Sequence, residues 1–194
     1  MSEKEHEMKT DARVRYTKMR IREAFFQCLK EKPINRITVK ELCDLAEINR
    51  ATFYAHYDDP FDLMEKLEEE TLGSIRQMLK EQQFYGEDGL LLSLLGMIRD
   101  GNNETAVLSS RNGDPNFGGR ISALFYETYL PRMEDQLPDC TKAQRHAVYR
   151  FIAGGCSNLL TDWVRHGMQD APENIAEEIR ILCAAVMRAY SAET

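Results

Sequence analysis

The chain has little of what most chemistries require. Its 194 residues hold four histidines, five cysteines and one tryptophan. No histidines and carboxylates group at metal-ligand spacing, and His146 and His166 lie about five turns apart on one expected helix, too far to share an ion. No metal and no cofactor are therefore expected. The cysteines, at 28, 43, 140, 156 and 183, are odd in number and form no CxxC. Cys28 and Cys43 fall on apolar helical faces, and Cys156 and Cys183 fall within mainly apolar segments. Core thiols in a reducing cytosol are the expected reading, and no spacing supports a redox pair. No apolar run approaches the roughly 18–20 residues of a membrane span. The opening MSEKEHEMKT is polar and lacks the apolar core of an export signal, so a cytoplasmic protein without a membrane partner is expected. Nucleophile–base pairs, P-loops and dinucleotide fingerprints are also missing, which leaves no candidate catalytic residues and disfavours an enzyme.

Charge is the first positive signal. The net charge is −7, which for the whole chain argues against a nucleic-acid binder. Its distribution argues the other way. Residues 13–57 hold ten Lys/Arg against five Asp/Glu, a local +5, which leaves −12 for the rest. A basic head on an acidic body fits a DNA-binding domain on a sensor domain. Ordinary surface charge is the plainer alternative, and it does not explain why the basic segment coincides with the motif that follows.

Residues 37–57 read ITVKELCDLAEINRATFYAHY and have the build of a helix-turn-helix. Thr38 followed by Glu41 is a capping box. Val39, Leu42, Cys43 and Ala46 then give one short helix an apolar face. Glu47–Ile48 makes the turn, and Asn49 can N-cap a second helix over Arg50–Tyr57. That second helix carries Arg50, Thr52, Tyr54 and His56, a donor-rich face on a short element suited to the major groove. Arg50 has the fork geometry for guanine O6/N7. Thr52 can donate to a base or phosphate or touch a thymine methyl. Thr38, at a helix start, can hold a phosphate with its hydroxyl and backbone N–H.

The chain here resembles the one-component repressors of the TetR/AcrR (tetracycline-repressor) family. The likeness rests on T-V-x-E-L at Thr38–Leu42, A-x-I-N at Ala46–Asn49, T-F-Y-x-H-Y at Thr52–Tyr57 and D-x-x-D-L at Asp59–Leu63. It is close over residues 13 to 65 and otherwise extends only to length and helical pattern. The resemblance implies that Tyr54 and His56 contact phosphates and that Lys40 reaches the groove or backbone. With Thr38, Asn49, Arg50 and Thr52 these form the expected DNA-binding set. It also implies that Phe53 and Tyr57 are core residues tying the recognition helix to its neighbours. Two positions depart from the family. Glu47 stands where most members have glycine, and a glutamate is tolerated there if the turn avoids positive φ. Pro60 stands where most have a phosphate-clamping lysine, so one phosphate contact is expected to be missing; Lys66 is not an obvious replacement.

The expected fold class is all-α: a three-helix, helix-turn-helix DNA-binding domain followed by a helical regulatory and dimerisation body. Residues 1–12 read as a disordered tail, 13–58 as the DNA-binding domain and 59–194 as the sensing and dimerisation domain. The first helix is expected over Arg13–Lys32. Asp59 caps a fourth helix that is apolar at Leu63, Leu67, Ile75 and Leu79 and runs to about Glu81. A break follows at Phe84–Gly89, then short helices over 90–99 and 104–110. Residues 111–119 read as loop, 121–133 as a helix, and Thr141 with Gln144 as a second capping box. The last two helices span about 142–166 and 172–190. Gly154–Gly155 inside the first of them suggests close approach of another helix.

The resemblance implies a homodimer built on these two helices. Val148, Ile152, Gly155, Leu159, Ile175, Ile179, Leu182 and Val186 are the expected interface, and packing within one subunit is the alternative. A small apolar or amphipathic effector, if sensed, would meet Met97, Phe117, Phe125, Tyr126, Tyr129, Phe151 and Trp163, although the same aromatics serve equally as core. The leading reading is a homodimeric repressor that binds double-stranded operator DNA and is released by an effector of unknown identity. One alternative is a regulator of the same fold controlled by a protein partner. The other is a small helical enzyme whose N-terminal match is accidental.

Overall fold

The first residues are mainly glutamate, lysine, methionine and histidine, with neither glycine nor proline, and such a stretch has nothing to break a helix. In the computed structural model, which describes residues 3–100, 104–108 and 110–191, helix α1 spans Glu3–Glu31. It takes in residues 3–12, which the sequence pattern assigns to a disordered tail. Pro33 ends it with an extended backbone (φ −66°, ψ 151°), and a 3-10 turn follows at Ile34–Arg36. Helices α2 (Val39–Ala46) and α3 (Arg50–Tyr54) come next. α3 stops at Tyr54 rather than Tyr57, and the His56 and Tyr57 N–H groups both bond the Phe53 carbonyl in the turn that follows.

Helix α4 runs unbroken over Pro60–Asp100, so the break expected at Phe84–Gly89 does not occur. Gly86 and Gly89 weaken a helix by about 1 kcal/mol each. Neither removes a backbone donor as proline does. The remaining helices are α5 (Glu104–Leu108), α6 (Phe117–Gln136), α7 (Lys142–Arg165) and α8 (Pro172–Ser191). α6 starts inside the segment read as loop, with Phe117 wholly buried. It also carries Pro131, which removes one helical hydrogen bond. Among the described residues there is no strand, and no helix is long and apolar enough to cross a membrane.

The chain divides into two compact units. The first comprises Met1–Thr71 and Glu104–Phe117, so it extends beyond residue 58 and recruits a later stretch of chain. Ile21, Phe25 and Leu29 of α1, Leu42 of α2, Phe53 of α3, Leu63 and Leu67 of α4, and Leu108 of α5 are among its buried apolar residues. Cys28 and Cys43 are buried with them, and burial pushes both thiols up, as core thiols should be. Arg22 fastens the later stretch by gripping the Glu104 carboxylate through Nε (3.0 Å) and NH2. The same guanidinium takes Glu70 at 2.9 Å. Gly113 sits so close to Leu108 that a Cβ there would lie 2.2 Å from the Leu108 carbonyl oxygen, so only glycine fits.

The second unit comprises Leu72–Asn103 and Gly118–Thr194. One of its clusters is built on Ile75 and Leu79, with Leu94, Ile121, Phe125 and Tyr129 against it. Another is built on Met133, Leu137, Val148 and Tyr149, with Tyr126, Tyr129, Ile152, Val186 and Met187 against it. The second capping box is complete: Thr141 Oγ1 accepts the Gln144 N–H and the Gln144 carboxamide oxygen accepts the Thr141 N–H. α7 ends in a left-handed turn at Gly167 and Met168, where Met168 N–H bonds Trp163 O at 2.9 Å.

Candidate nucleic-acid interface

Thr38 is extended (φ −114°, ψ 149°), and its hydroxyl accepts the Glu41 N–H at 3.3 Å, so α2 starts where the capping pair predicts. The Glu41 carboxylate does not complete the box. Both of its oxygens take Lys32 Nζ, at 2.5 and 2.6 Å. The pair ties the first turn of α2 to the end of α1, and the hydrogen bond to Glu41 holds the Lys32 ammonium above its usual range. Thr38 and Lys40 are exposed at this end of α2, where unpaired N–H groups and the helix dipole favour a phosphate.

The turn after α2 is left-handed. Glu47 has φ 57° and ψ 43°, and Ile48 N–H closes the cap on Cys43 O at 3.0 Å. The expectation of a turn without positive φ is thereby corrected: the geometry that glycine supplies elsewhere is kept, with the strain borne by a glutamate. A side chain in this conformation costs roughly 1–2 kcal/mol. The Glu47 carboxylate lies 3.3 Å from Arg20 on an exposed surface, a pairing of little energetic weight.

Asn49 opens α3. Its Oδ1 accepts both the Thr52 N–H at 2.8 Å and the Thr52 hydroxyl at 3.0 Å. The Thr52 hydroxyl proton is thus engaged within the protein, which leaves its methyl and lone pairs for a ligand. Phe53 is wholly buried and Tyr57 nearly so, with ring centroids 5.7 Å apart. This fixes the helix from behind and turns Arg50, Thr52 and Tyr54 to the other side. Arg50 is exposed, as is Tyr54. His56 is half-buried and lies beyond the end of α3, in the following turn. All seven expected DNA-facing residues therefore lie on one unit, between the start of α2 and the turn after α3.

The start of α4 is held by its acids. Asp59 Oδ1 caps it, accepting the Phe61 and Asp62 N–H groups at 2.7 and 2.9 Å. Asp62 accepts Lys66 Nζ at 2.8 Å and the Asp58 N–H at 3.0 Å, in that order of effect, and both hold its carboxyl below the usual range. Lys66 also donates to the His56 carbonyl at 3.2 Å and lies over the Tyr57 ring. It braces the end of the recognition segment.

The other expected site residues are less collected. Phe117 is wholly buried in the first unit. Trp163 is buried at the α7–α8 turn, its indole N–H donating to Asp170 O at 3.0 Å. Phe151 is 70% exposed. The Met97 side chain lies outside the described residues. Phe125, Tyr126 and Tyr129 do gather, half-buried, with the Tyr126 hydroxyl 2.8 Å from His146 Nε2. On the last two helices, Val148 and Ile179 are interior to the subunit and so face no second copy. Ile152, Leu159, Ile175 and Val186 are half-buried, while Gly155 and Leu182 are exposed. Phe151 and Ile181, absent from the expected interface, join that exposed surface. A Cβ at Gly154 or Gly155 meets nothing within 4 Å, so no helix of the same subunit approaches there.

Comparison with known proteins agrees with this build. A TetR model described as the C-terminal region of a transcriptional regulator matches residues 88–184, half of the chain. A TetR transcriptional regulator from Streptococcus agalactiae 2603V is similar in structure, with a TM-score of 0.64 at 22% identity over 91% of this chain and 98% of that one. The fatty acid degradation regulator FadR from Bacillus halodurans gives 0.63 at 13% identity, over 86% and 94%. The dihydroxyacetone kinase operon activator DhaS gives 0.61 at 19%, over 90% and 97%. In sequence, an uncharacterized HTH-type transcriptional regulator, YxbF, from Bacillus subtilis (strain 168) is 34% identical over 50 residues. That match covers 26% of this chain and 13% of the relative's length.

Proposed function

Because the chain belongs to the TetR family of transcriptional regulators, we propose that it is a homodimeric repressor that reads its operator through α3 and the start of α2. The observation that carries this reading is the division of labour on α3. Phe53 and the adjacent Tyr57 are buried, Asn49 is the cap, and Arg50 and Tyr54 are left exposed. A five-residue helix so held presents a rigid donor surface to base edges and phosphates. Arg50 reads a base; Thr38, Lys40, Tyr54 and His56 position the head on the backbone.

Dimerisation is proposed through α7 and α8. Phe151, Ile181 and Leu182 are 70%, 51% and 49% exposed, and Gly154 and Gly155 leave the neighbouring backbone open to an incoming helix. Release is proposed to come from an apolar or amphipathic effector against Phe125, Tyr126 and Tyr129, three half-buried rings of which Tyr126 pairs with His146. The reading is tested by binding of the full-length protein to duplexes from the control region of its own gene. Tight, salt-sensitive binding to one site supports it. Equal binding to every duplex overturns it. A thermal-shift screen then tests the effector, since a ligand of the folded state raises the melting temperature.

A further inference from the structure

We propose that Cys156 and Cys183 are an oxidisable pair that forms a disulfide between α7 and α8 of one subunit by exchange with a small-molecule disulfide of the glutathione class. The two are 27 residues apart in sequence, and their Sγ atoms lie 3.8 Å apart. Both are half-buried thiols on helices that pack together within one unit. Cys156 continues the inward line of Val148 and Ile152, one turn on. Cys183 continues that of Ile179 and leads to Val186 and Met187. Ile152, Val186 and Met187 pack against one cluster, so the sulfurs sit in the seam between the helices. They are not on the exposed face of Phe151, Gly155 and Leu182. A disulfide needs its sulfurs about 2.05 Å apart.

The chemistry is thiol–disulfide exchange. The hydrogen bond to Cys183, then burial, hold the Cys156 thiol protonated far above its usual range. Either sulfur can be the donor in their contact, so either cysteine can be the first nucleophile. It loses its proton to water, and its thiolate attacks one sulfur of the oxidant RSSR, expelling RS⁻ and leaving a mixed disulfide. The other cysteine then loses its proton and attacks the sulfur of the first, expelling the second RS⁻. The pair is oxidised by two electrons, and RSSR is reduced to two RSH. The remaining thiols are placed differently: Cys28 and Cys43 are buried in the other unit, and Cys140 faces the Tyr190 carbonyl.

The test is native incubation of the full-length protein with glutathione disulfide, quenching with iodoacetamide, and peptide mass spectrometry. The expected product is one intramolecular link between the Cys156 and Cys183 peptides, with the other three of the five cysteines alkylated. Cys156→Ser and Cys183→Ser should each abolish the link, and Cys140→Ser should keep it. Alkylation of all five wild-type thiols would overturn the proposal. So would a link between two subunits, a link to another cysteine, or a mixed disulfide on either cysteine that never resolves.

Discussion

The side-chain amide of Asn112 donates to the carbonyl of Leu29 at 2.9 Å. The backbone carbonyl of the same asparagine accepts the Ile34 N–H at 2.8 Å. A residue from the middle of the chain thus satisfies the Leu29 carbonyl in the last turn of α1, where the helix has run out of its own partners, and the Ile34 N–H of the 3-10 turn that follows. The DNA-facing unit depends on chain far from the helix-turn-helix. Asn112→Ala is expected to destabilise the protein by about 1–3 kcal/mol, the penalty of leaving a partly buried acceptor unpaired. Residues 1–71 alone should be poorly folded. Urea titration of the variant and circular dichroism of the fragment check both. A stable, cooperatively melting fragment would show that Glu104–Phe117 is dispensable.

Glu47 carries left-handed strain, so Glu47→Gly is expected to stabilise the protein by about 1 kcal/mol. Loss of the exposed contact with Arg20 should take back little of this. For a chain of this size the gain corresponds to a rise in Tm of about 2–4 °C. An unchanged or lower Tm would mean that the arginine pairing outweighs the backbone term.

Phe151 and Leu182 are exposed in the isolated subunit, so a charge at either costs nothing until a second subunit covers it. Phe151→Glu and Leu182→Glu should each give a folded monomer of about half the wild-type mass, by burial of an unpaired charge at the interface. Light scattering at micromolar concentration measures this. Wild-type protein that is already monomeric would remove the interface altogether.

Burial, aided by the nearby Tyr126 and Tyr129, pushes the Tyr149 phenol up to about 12, and its hydroxyl donates to Ser122 O at 3.1 Å. An unfolded tyrosine ionises near 10. The neutral phenol is thus the form the fold prefers. Its contribution to stability is complete below about pH 10 and is lost as pH rises through about 12. Absorbance at the tyrosinate band should show a late-titrating component that is missing in Tyr149→Phe, while Tyr57, which burial also pushes up, titrates as in the wild type. A variant with the wild-type titration curve would place the late group elsewhere.

What could be read from the sequence follows the range of the forces involved. Thr38, Asn49, Asp59 and Thr141 each cap a helix through N–H groups two or three residues away, so short-range chemistry announced the starts of α2, α3, α4 and α7. The helix-turn-helix and its exposed residues were legible for that reason. The attachment of Glu104–Phe117 to α1 was not, because Asn112 and Leu29 are 83 residues apart and neither is unusual in its local stretch. The outward phase of α7 was also hidden. Phe151 and Trp163 look alike in a helical pattern, and only tertiary burial leaves one in solvent and puts the other under the α7–α8 turn. Gly113, a position that only glycine can occupy beside the Leu108 carbonyl, marks residues 111–119 as a docked segment in the structure, but in sequence a lone glycine reads equally as loop.

The central claim is that α3 reads bases through Arg50 while its neighbours hold the backbone. The most direct measurement is a pair of binding titrations, wild type and Arg50→Ala, on operator and on scrambled duplex at fixed salt. The account predicts that the variant loses about 1–3 kcal/mol on operator, with relaxed preference at one position per half-site, and almost nothing on scrambled DNA. An equal loss on both duplexes would contradict it, because Arg50 would then touch only phosphate.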